Sequence, residues 1–332
     1  MNVLLVGLGR WGEKHLRVLR ELGATVWVAD VAPARLEWAR RQGVEPARAV
    51  RDYREAIARV DAVDIVTPAD SHRAIAGECL AAGRHCFVEK PLTATLAEGW
   101  ELEAAARAAG RVVQVGHIFR FHPVTVTLRE ALGAGRIGAV RYATGRFSGF
   151  KRPRTDVGVT QTDAIHYFDL FAYLFAHPAT RVAALQRDYL GRGLDDLSVT
   201  IVHYGDIPTV IEASYFVPGT HRDCVIVGER GSLVADYASA TVTLRVVIGV
   251  GPMAVRVDVA ADEPRLVVPD GRERVLERHV RAAQRLHLGA AQHEPGLDGL
   301  EDLVVVPGAP VRRDGAVTRA GARLTWHART VL

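Results

Sequence analysis

The sequence predicts two domains: an α/β domain with a doubly wound parallel sheet, followed by an α+β domain built on an antiparallel sheet. Three observations predict this fold class. The chain has 332 residues, and one domain per about 150 residues suggests two domains. Over the first ~120 residues, short apolar runs alternate with amphipathic stretches, a pattern typical of βαβ units. Beyond His122, strand-like runs separated by turn residues predominate.

The first domain, residues 1–122, contains the alternating units. The predicted strands are 3–6, 25–29, 63–66, 85–88 and 112–115, and the predicted helices are 11–22, 34–42, 52–58, 71–82 and 96–109. Because β-crossover-β connections are almost always right-handed, these units give a parallel sheet with helices on both faces. We expect the ligand crevice at the carboxyl ends of the strands.

The second domain, residues 123–332, has a different pattern. Helices are predicted at 123–132 and 163–175, a polar loop at 151–161, and strands at 140–150, 182–186, 199–204, 209–215, 223–227, 232–236 and 241–248. Turn pairs such as Gly205-Asp206 and Pro218-Gly219 separate the strands, as expected for antiparallel pairing. Residues 265–332 are atypical, because they are rich in Arg, His, Gly and Val and have little periodicity.

Composition excludes several classes of protein. With 48% hydrophobic and 24% charged residues, the chain is globular rather than disordered or collagen-like. Its longest uncharged apolar stretches fall short of the ~18–20 residues that span a bilayer, and its amino terminus has no export signal, so we expect a cytoplasmic protein without membrane segments. Basic residues scattered among acids argue against nucleic-acid binding. Three cysteines without CxxC spacing predict neither disulfides nor a metal site.

The first strand leads directly into a glycine-rich turn that opens the first helix, Gly7-Leu8-Gly9-Arg10-Trp11-Gly12. In this βαβ setting a GxGxxG pattern indicates dinucleotide binding. The first glycine permits the tight turn, the second lets a pyrophosphate approach the backbone, and the third lets helix and strand pack closely. The helix N-terminus faces the anion.

Asp30 ends the second predicted strand, where a carboxylate accepts hydrogen bonds from ribose hydroxyls and repels a 2′-phosphate. This position favours NAD over NADP as the cofactor. The alternative is that Asp30 caps the helix beginning near Pro33. Arg35 in that helix is included in the predicted cofactor site.

Two further segments follow strands of the same sheet. Thr67-Pro68 and His72 come after the strand at 63–66 and are predicted at the cofactor edge, although the segment also holds residues that can cap the next helix. Glu89-Lys90 follows the strand at 85–88, and both residues are included in the predicted cofactor site. The chain has 39 Arg and only three Lys, so a lysine at this edge is informative. Its ammonium group can hydrogen-bond a substrate hydroxyl, and partial burial lowers its pKa.

These motifs, together with a later helix that bears His166, occur in the same order as in the Gfo/Idh/MocA family of sugar and inositol oxidoreductases. The resemblance covers roughly residues 1–250. It implies an N-terminal Rossmann domain that binds NAD(P), and an open-faced antiparallel sheet that supports substrate binding and oligomerisation. It also implies that Lys90 and His166 are catalytic. We expect a homodimer or a homotetramer.

The family usually places an Asp four residues before the catalytic histidine. Here Thr162 holds that position and Asp163 stands three residues before His166. Both positions lie on nearly the same helix face as His166. Asp163 is therefore a candidate for orienting the imidazole or for starting the helix, and both residues are also candidate substrate ligands.

The GxGxWG start and the segment containing His117 and Arg120 resemble the branch of the family that oxidises UDP-N-acetylhexosamines at C3. Those two residues follow the last strand of the first domain, so we expect them at the cleft. Lys151 and Arg154 precede the His166 helix, and Arg offers a bidentate fork for the oxygens of a diphosphate. A solvated basic loop is the alternative.

The sequence therefore predicts that NAD⁺ accepts a hydride from a secondary carbinol of a sugar, with C3 of UDP-N-acetylglucosamine as the first candidate. His166 is predicted to remove the hydroxyl proton as general base, while Lys90 hydrogen-bonds the same oxygen and stabilises the developing alkoxide charge; Lys90 is the alternative base. An inositol or free-sugar dehydrogenase is the alternative enzyme. A non-catalytic NAD-binding sensor is the alternative from another class.

Overall fold

The structure is a computed structural model that describes residues 1–247, 252–258 and 265–267. Residues 1–122 contain a six-stranded sheet whose neighbouring strands are all parallel. Its strands are β1 (Asn2–Val6), β2 (Thr25–Ala29), β3 (Ala49–Val50), β4 (Ala62–Ile65), β5 (His85–Val88) and β6 (Val113–Val115). Their order is β3-β2-β1-β4-β5-β6. The order reverses between β1 and β4, which is where doubly wound sheets bind their ligands.

The helices of residues 1–122 connect these strands and cover both faces of the sheet. They are α1 (Arg10–Glu21), α2 (Pro33–Arg41), α3 (Arg54–Ile57), α4 (Ala69–Ala81) and α5 (Leu96–Ala109). Separate buried apolar clusters lie on the two faces. The predicted parallel sheet is thus confirmed, and β3 was missed because two residues carry no periodicity.

The second sheet has nine strands in the order β15-β14-β13-β12-β11-β7-β10-β9-β8 within the described residues. Its strands are β7 (Val140–Gly149), β8 (Ala179–Arg187), β9 (Leu197–Tyr204), β10 (Ile207–Ser214), β11 (Thr220–Gly228), β12 (Gly231–Asp236), β13 (Thr241–Val247), β14 (Pro252–Asp258) and β15 (Arg265–Val267). Helices α6 (Pro123–Gly133) and α7 (Ile165–Phe175) accompany it. The last two strands were not predicted.

The predicted antiparallel second sheet is confirmed, and one pair of its neighbouring strands is parallel. Strands β7 and β10 are parallel neighbours, with Ala213 beside Phe147, whereas the other neighbouring pairs are antiparallel. The chain leaves β7 through α7, and a helical crossover of this kind allows the later strand to pair in parallel. The sheet is therefore mixed.

The start of the helix that bears His166 is a correction. The sequence predicts a helix over 163–175, but the chain first forms a π-helical turn, Thr160–Ala164, and α7 begins at Ile165. A π-turn carries one extra residue, so it shifts which side chains share the face of His166. Residues 248 and 268–332, on which other predictions fall, lie outside the described residues.

Helix α7 packs on the inner face of the second sheet through a fully buried aromatic core. Tyr167 and Phe171 have no exposed surface, and Phe119 stacks flat on Tyr237 at 4.3 Å between ring centroids. This packing fixes α7 against the sheet. In the part of the chain that the structure describes, no helix is long and apolar enough to span a bilayer.

Candidate active site

The glycine-rich turn lies at the carboxyl end of β1. Gly7 has φ +95°, and a Cβ there would lie 2.7 Å from the carbonyl oxygen of Val66. A Cβ on Gly12 would lie 2.0 Å from the carbonyl oxygen of Gly7, whereas one on Gly9 would meet no atom within 4 Å. The first and third glycines are therefore required by the turn itself, and the second faces open space.

The other residues of the turn divide by exposure. Leu8 is buried in the apolar cluster beneath the sheet, while Arg10 and Trp11 are exposed in the first turn of α1. Gly9, the N-cap residue, has no side chain to cap the helix, so the first-turn N–H groups of α1 lack a side-chain capping bond. Such a terminus attracts an anion.

Asp30 ties the glycine turn to the start of α2. Its Oδ2 accepts a hydrogen bond from the Leu8 N–H at 2.7 Å, and its Oδ1 accepts one from the Ala32 N–H at 2.9 Å. The N-cap residue of α2 is Ala32, and the helix has no side-chain capping bond, so Asp30 does not cap α2 but fixes the segment that leads into it. Each carboxylate oxygen keeps a second lone pair for a ribose hydroxyl. Arg35 forms an ion pair with Glu13 of α1 at 2.6 Å.

His72 lies beneath the crevice rather than at its surface. It is only 1% exposed. Its Nδ1 lies 2.9 Å from the carbonyl oxygen of Pro91, and its Nε2 lies 2.9 Å from that of Thr67. His72 therefore joins the loop after β4, which contains Pro68, to the loop after β5, and it supports the site from below.

Glu89 belongs to a buried cluster of three ionisable side chains. His15 Nδ1 lies 2.9 Å from Asp64 Oδ2, and His15 Nε2 lies 3.4 Å from Glu89 Oε1. Although burial opposes its charge, the two carboxylates raise the pKa of His15 to about 9. Burial opposes the charge of Glu89, but the hydrogen bond and the charge of His15 lower the pKa of this carboxyl. Burial raises the pKa of Asp64. The sequence analysis did not identify Asp64.

Lys90 follows β5, and its side chain extends to the π-turn that precedes α7. Its Nζ donates a hydrogen bond to the carbonyl oxygen of Thr162 at 2.7 Å, and Thr162 lies in the π-turn before α7. Burial lowers the pKa of Lys90 to about 8, and the positive charge of Arg154 acts in the same direction. Lys90 is therefore close to half-protonated slightly above neutral pH.

His166 is enclosed by aromatic rings. Its imidazole stacks on Phe119 at 4.7 Å and on Phe147 at 5.0 Å between centroids, and the residue is 5% exposed. Its buried Nδ1 has no hydrogen-bond partner among the described residues. Burial, followed by the positive charge of Lys90, lowers the pKa of His166 well below its usual value. The imidazole is therefore neutral near pH 7.

Asp163 does not orient His166. Its carboxylate forms an ion pair with Lys151 instead, because the π-turn at 160–164 directs it toward the loop that follows β7. Of the two roles considered for Asp163, orienting the imidazole is therefore not supported by a contact among the described residues. Asp163 is 2% exposed, and this burial raises its pKa even though Lys151 and Lys90 act to lower it.

The side chains of the remaining predicted substrate residues, His117, Arg120 and Arg154, each lie beside a carboxylate. His117 is half-buried, and its Nδ1 lies 3.9 Å from Asp169 Oδ2 of α7. Arg120 turns away to α7, where Nε donates to Asp169 Oδ2 at 2.8 Å. Arg154 Nε donates to Asp156 Oδ1 at 2.7 Å.

The loop that carries Arg154 also contacts the first sheet's helices. Asp156 Oδ2 accepts a hydrogen bond from the Ala69 N–H at 3.0 Å, at the first residue of α4. Arg154 acts against burial to lower the pKa of Asp156 to about 2. This contact connects the loop of residues 150–158 to the edge where β4 ends.

Sequence analysis missed two residues of this region, Arg222 and Tyr215. Arg222 Cζ lies 3.5 Å from the ring centre of Phe147, and Lys151 Nζ lies 5.3 Å from that of Tyr215. Arg222 is one of 39 arginines, so composition gives no signal for it. Only the register of β7 and β11, which pairs Arg222 with Phe147, identifies it.

Comparisons with known proteins agree with this architecture. Residues 1–117 match the family described as "Oxidoreductase family, NAD-binding Rossmann fold", and residues 125–234 match the "GFO/IDH/MocA C-terminal domain". Inositol 2-dehydrogenase of Acidothermus cellulolyticus is 32% identical over 249 residues, which cover 70% of this chain and 72% of that enzyme. The chain belongs to the Gfo/Idh/MocA oxidoreductase family.

Two further matches concern one enzyme of this family. UDP-N-acetylglucosamine 3-dehydrogenase of Acidithiobacillus ferrooxidans is 34% identical over 172 residues, which are 51% of this chain and only 53% of that enzyme's length. The solved structure of GnnA, the UDP-N-acetylglucosamine 3-dehydrogenase of Acidithiobacillus ferrooxidans, has a TM-score of 0.69 and 26% identity, covering 79% of this chain and 84% of that one.

Residues 1–117 form an NAD-binding Rossmann fold, and the residues at the glycine turn and at the end of β2 fit the cofactor. Open space at Gly9 admits a pyrophosphate, because a Cβ there would meet no atom of the described residues within 4 Å. Asp30 stands at the end of β2, where the ribose of a dinucleotide lies in this fold. We expect the glycine turn and Asp30 to hold NAD, with the nicotinamide end toward β4 and β5.

Proposed function

We propose that the chain is an NAD-dependent dehydrogenase that oxidises a secondary alcohol of a sugar or polyol to a ketone, with Lys90 and His166 as its catalytic residues. The observation that carries this is the hydrogen bond of Lys90 to Thr162, which links the end of β5 to the turn before His166. NAD⁺, when bound, supplies the hydride acceptor. The chain's own residues must then remove one proton and position the alcohol.

Lys90 is the stronger candidate for the proton acceptor. A general base works best when its pKa lies near the operating pH, and burial brings the pKa of Lys90 to about 8. The neutral amine can donate to Thr162 and still accept the alcohol proton with its lone pair. Lys90 then carries the proton while the ketone forms.

His166 is proposed as a neutral hydrogen-bond partner of the same hydroxyl. Its protonation would place an imidazolium among Lys90, Lys151 and Arg222, all of which act to lower its pKa. A neutral imidazole keeps one N–H donor and one acceptor nitrogen. Stacking between Phe119 and Phe147 holds the ring still, so it orients the alcohol at little entropic cost.

For the substrate, C3 of a UDP-N-acetylhexosamine remains the first candidate, supported by the UDP-N-acetylglucosamine 3-dehydrogenase relative. The supposed diphosphate ligands, Lys151 and Arg154, are each paired with a carboxylate. A diphosphate would have to displace Asp163 or Asp156 to use them. An inositol is the second candidate, because the inositol 2-dehydrogenase relative matches over a longer region.

The proposal is tested by incubating the full chain and NAD⁺ with UDP-N-acetylglucosamine, N-acetylglucosamine, free sugars and inositols while recording the absorbance of NADH. We expect NADH formation with at least one of these polyols. NAD⁺ binding without NADH formation from any member of a broad panel would favour the non-catalytic sensor and overturn the dehydrogenase assignment.

A further inference from the structure

Arg222 stands on the inner face of the second sheet beside His166. The β7–β11 register places Arg222 opposite Phe147, and directly paired residues project to the same face. The guanidinium carbon lies 3.5 Å from the centre of the Phe147 ring, and the imidazole of His166 stacks on that ring at 5.0 Å. Both side chains therefore pack on the Phe147 ring, and Arg222 is near enough to His166 for its charge to lower the pKa of the imidazole.

The guanidinium of Arg222 is only partly used within the described residues. Its Nη1 donates to the carbonyl oxygens of Ser148 at 2.8 Å and His221 at 2.5 Å. No described carboxylate lies within ion-pair distance of it, whereas the neighbouring cations Lys151, Arg154 and Arg120 each have one. Nε and Nη2 thus have no acceptor among the described residues and form a planar pair of donors.

The charges near His166 do not balance. Even with Lys90 neutral, as the proposed function requires, the cations Lys151 and Arg222 both act to lower the pKa of His166, and Asp163 is a carboxylate that faces both of them. An excess of positive charge in a half-buried site is costly unless an anion accompanies it. A neutral polyol would fill the site and leave this excess uncompensated.

We propose that Arg222 binds an anionic group of the substrate, a carboxylate or a phosphate ester, so that the alcohol oxidised at Lys90 belongs to a negatively charged sugar or polyol. This inference rests on the proposed function of the same site. A guanidinium binds either group through two parallel N–H donors. Stacking on Phe147 and the two carbonyl bonds hold the fork in place before the anion arrives.

The test measures binding, by calorimetry, to the full chain loaded with NAD⁺. The probes are D-glucuronate, D-glucose 6-phosphate and neutral D-glucose, which separate the carboxylate from the phosphate. We expect one of the anions to bind ~10- to 100-fold more tightly than glucose, as a charge-assisted hydrogen-bonded pair predicts. The Arg222→Gln variant should lose this preference and bind glucose as before.

Two variants control the test. Arg222→Lys keeps the charge but not the fork, so it should retain part of the preference. Arg141→Gln removes an exposed arginine that pairs with Glu229 at the other end of β7, and it should change nothing. Unchanged melting temperatures show that the Arg222 variants fold.

Equal binding of anions and glucose, no binding of either anion, or an anion preference that survives Arg222→Gln would overturn the inference. Its failure is distinct from that of the proposed function, because binding needs no turnover. An Arg222-dependent anion preference without NADH formation would contradict only the dehydrogenase assignment. Efficient oxidation of neutral polyols without any anion preference would contradict only the role of Arg222.

Discussion

At the scale of single residues, the chemistry depends on how burial changes the protonation of two side chains. Burial lowers the pKa of both Lys90 and His166, but their distinct environments give them different proposed roles. Lys90 keeps a hydrogen bond to a carbonyl and titrates near pH 8. His166 lies between two phenyl rings and stays neutral. Two groups that share one proton are expected to titrate as a coupled pair.

The pH dependence of oxidation distinguishes the two roles of Lys90. If the neutral amine is the base, kcat/KM for the alcohol rises about tenfold per pH unit below the pKa of about 8 and levels off above it. If the ammonium acts only by its charge, kcat/KM falls above that pH instead. Initial rates measured from pH 6 to about 10 decide between these outcomes.

His15 makes the stability of the fold depend on pH. The pKa of His15 in the folded chain, about 9, exceeds its usual value of 6.5. The stabilisation of the fold by the protonated ring is therefore complete at pH values below 6.5. We expect this stabilisation, on the order of 1–3 kcal/mol, to be lost as pH rises through about 9. Burial of Asp64 offsets part of it.

The measurement is the melting temperature of wild type and His15→Gln as a function of pH. Wild type should lose more stability than the variant between pH 6.5 and about 9. Parallel curves for the two proteins would show that the cluster of His15, Asp64 and Glu89 carries no pH-dependent stability. His177→Gln is the control, because His177 is exposed beyond the end of α7.

Residue type and position were enough to single out Lys90, since a lysine among 39 arginines at a strand's carboxyl end is informative. They were not enough for Asp64 or Arg222. Asp64 lies inside β4, where its charge depends on His15 of another element. Arg222 enters the site through strand register, which depends on the whole sheet.

At the scale of elements, the strand–turn–helix unit at the N-terminus was predictable because the first and third glycines have a local steric cause. A Cβ on Gly7 or Gly12 would lie within 3 Å of neighbouring backbone atoms, whereas one on Gly9 would meet no described atom within 4 Å. The π-turn before α7 was not predictable. The extra residue of the π-turn leaves no mark in the hydrophobic pattern of the sequence. It nevertheless directs the Asp163 side chain away from His166 and toward Lys151.

Substitutions of the glycines separate folding from cofactor binding. Gly12→Ala places a Cβ against the carbonyl of Gly7, so we expect a loss of ~1–3 kcal/mol of stability together with weaker NAD binding. Gly9→Ala meets no protein atom. It should therefore keep the melting temperature and lose NAD affinity, because the added methyl group occupies the space for the pyrophosphate.

Thermal melting and NAD titration by fluorescence check both variants. Gly77→Ala is a matched control, since Gly77 lies in α4 and a Cβ there also meets nothing within 4 Å. It should leave NAD binding unchanged. Normal NAD affinity in Gly9→Ala would contradict the placement of the pyrophosphate at this turn.

At the scale of the whole molecule, the second sheet leaves an apolar face without cover in the described chain. Strand β8 is exposed over its full length, and Leu185, Ile201 and Val210 are 44%, 43% and 40% exposed on neighbouring strands. Ile201 is paired with Val210 across β9 and β10. Contiguous exposed apolar surface of this kind marks an interaction site. We propose that a second copy of the chain covers it, as the family resemblance implies, giving a homodimer or homotetramer.

The prediction for assembly is that Ile201→Asp shifts the protein toward the monomer, because the interface would bury an unpaired carboxylate. Sedimentation velocity on wild type and variant measures the change. Val126→Asp is the control, since Val126 is 48% exposed on α6, away from this face. A monomeric wild type, or an unchanged dimer in Ile201→Asp, would contradict the proposed interface.

The architecture itself was the most predictable feature at this scale, because the alternation of strands and helices extends over all of residues 1–122. The division into domains at residues 122 and 123 remains a proposal. The parallel pairing of β7 and β10 could not be read from the strand pattern, since both pairings give the same alternation of buried and exposed residues.

The most direct test of the account is a comparison of Lys90→Met and His166→Asn with wild type, using the substrate that the NADH screen identifies. We predict a fall in turnover of ~10²- to 10⁴-fold in Lys90→Met and a clear loss in His166→Asn, while both bind NAD⁺ as wild type does. His177→Asn should retain full activity. Turnover close to that of wild type in both Lys90→Met and His166→Asn would contradict the assignment of this site.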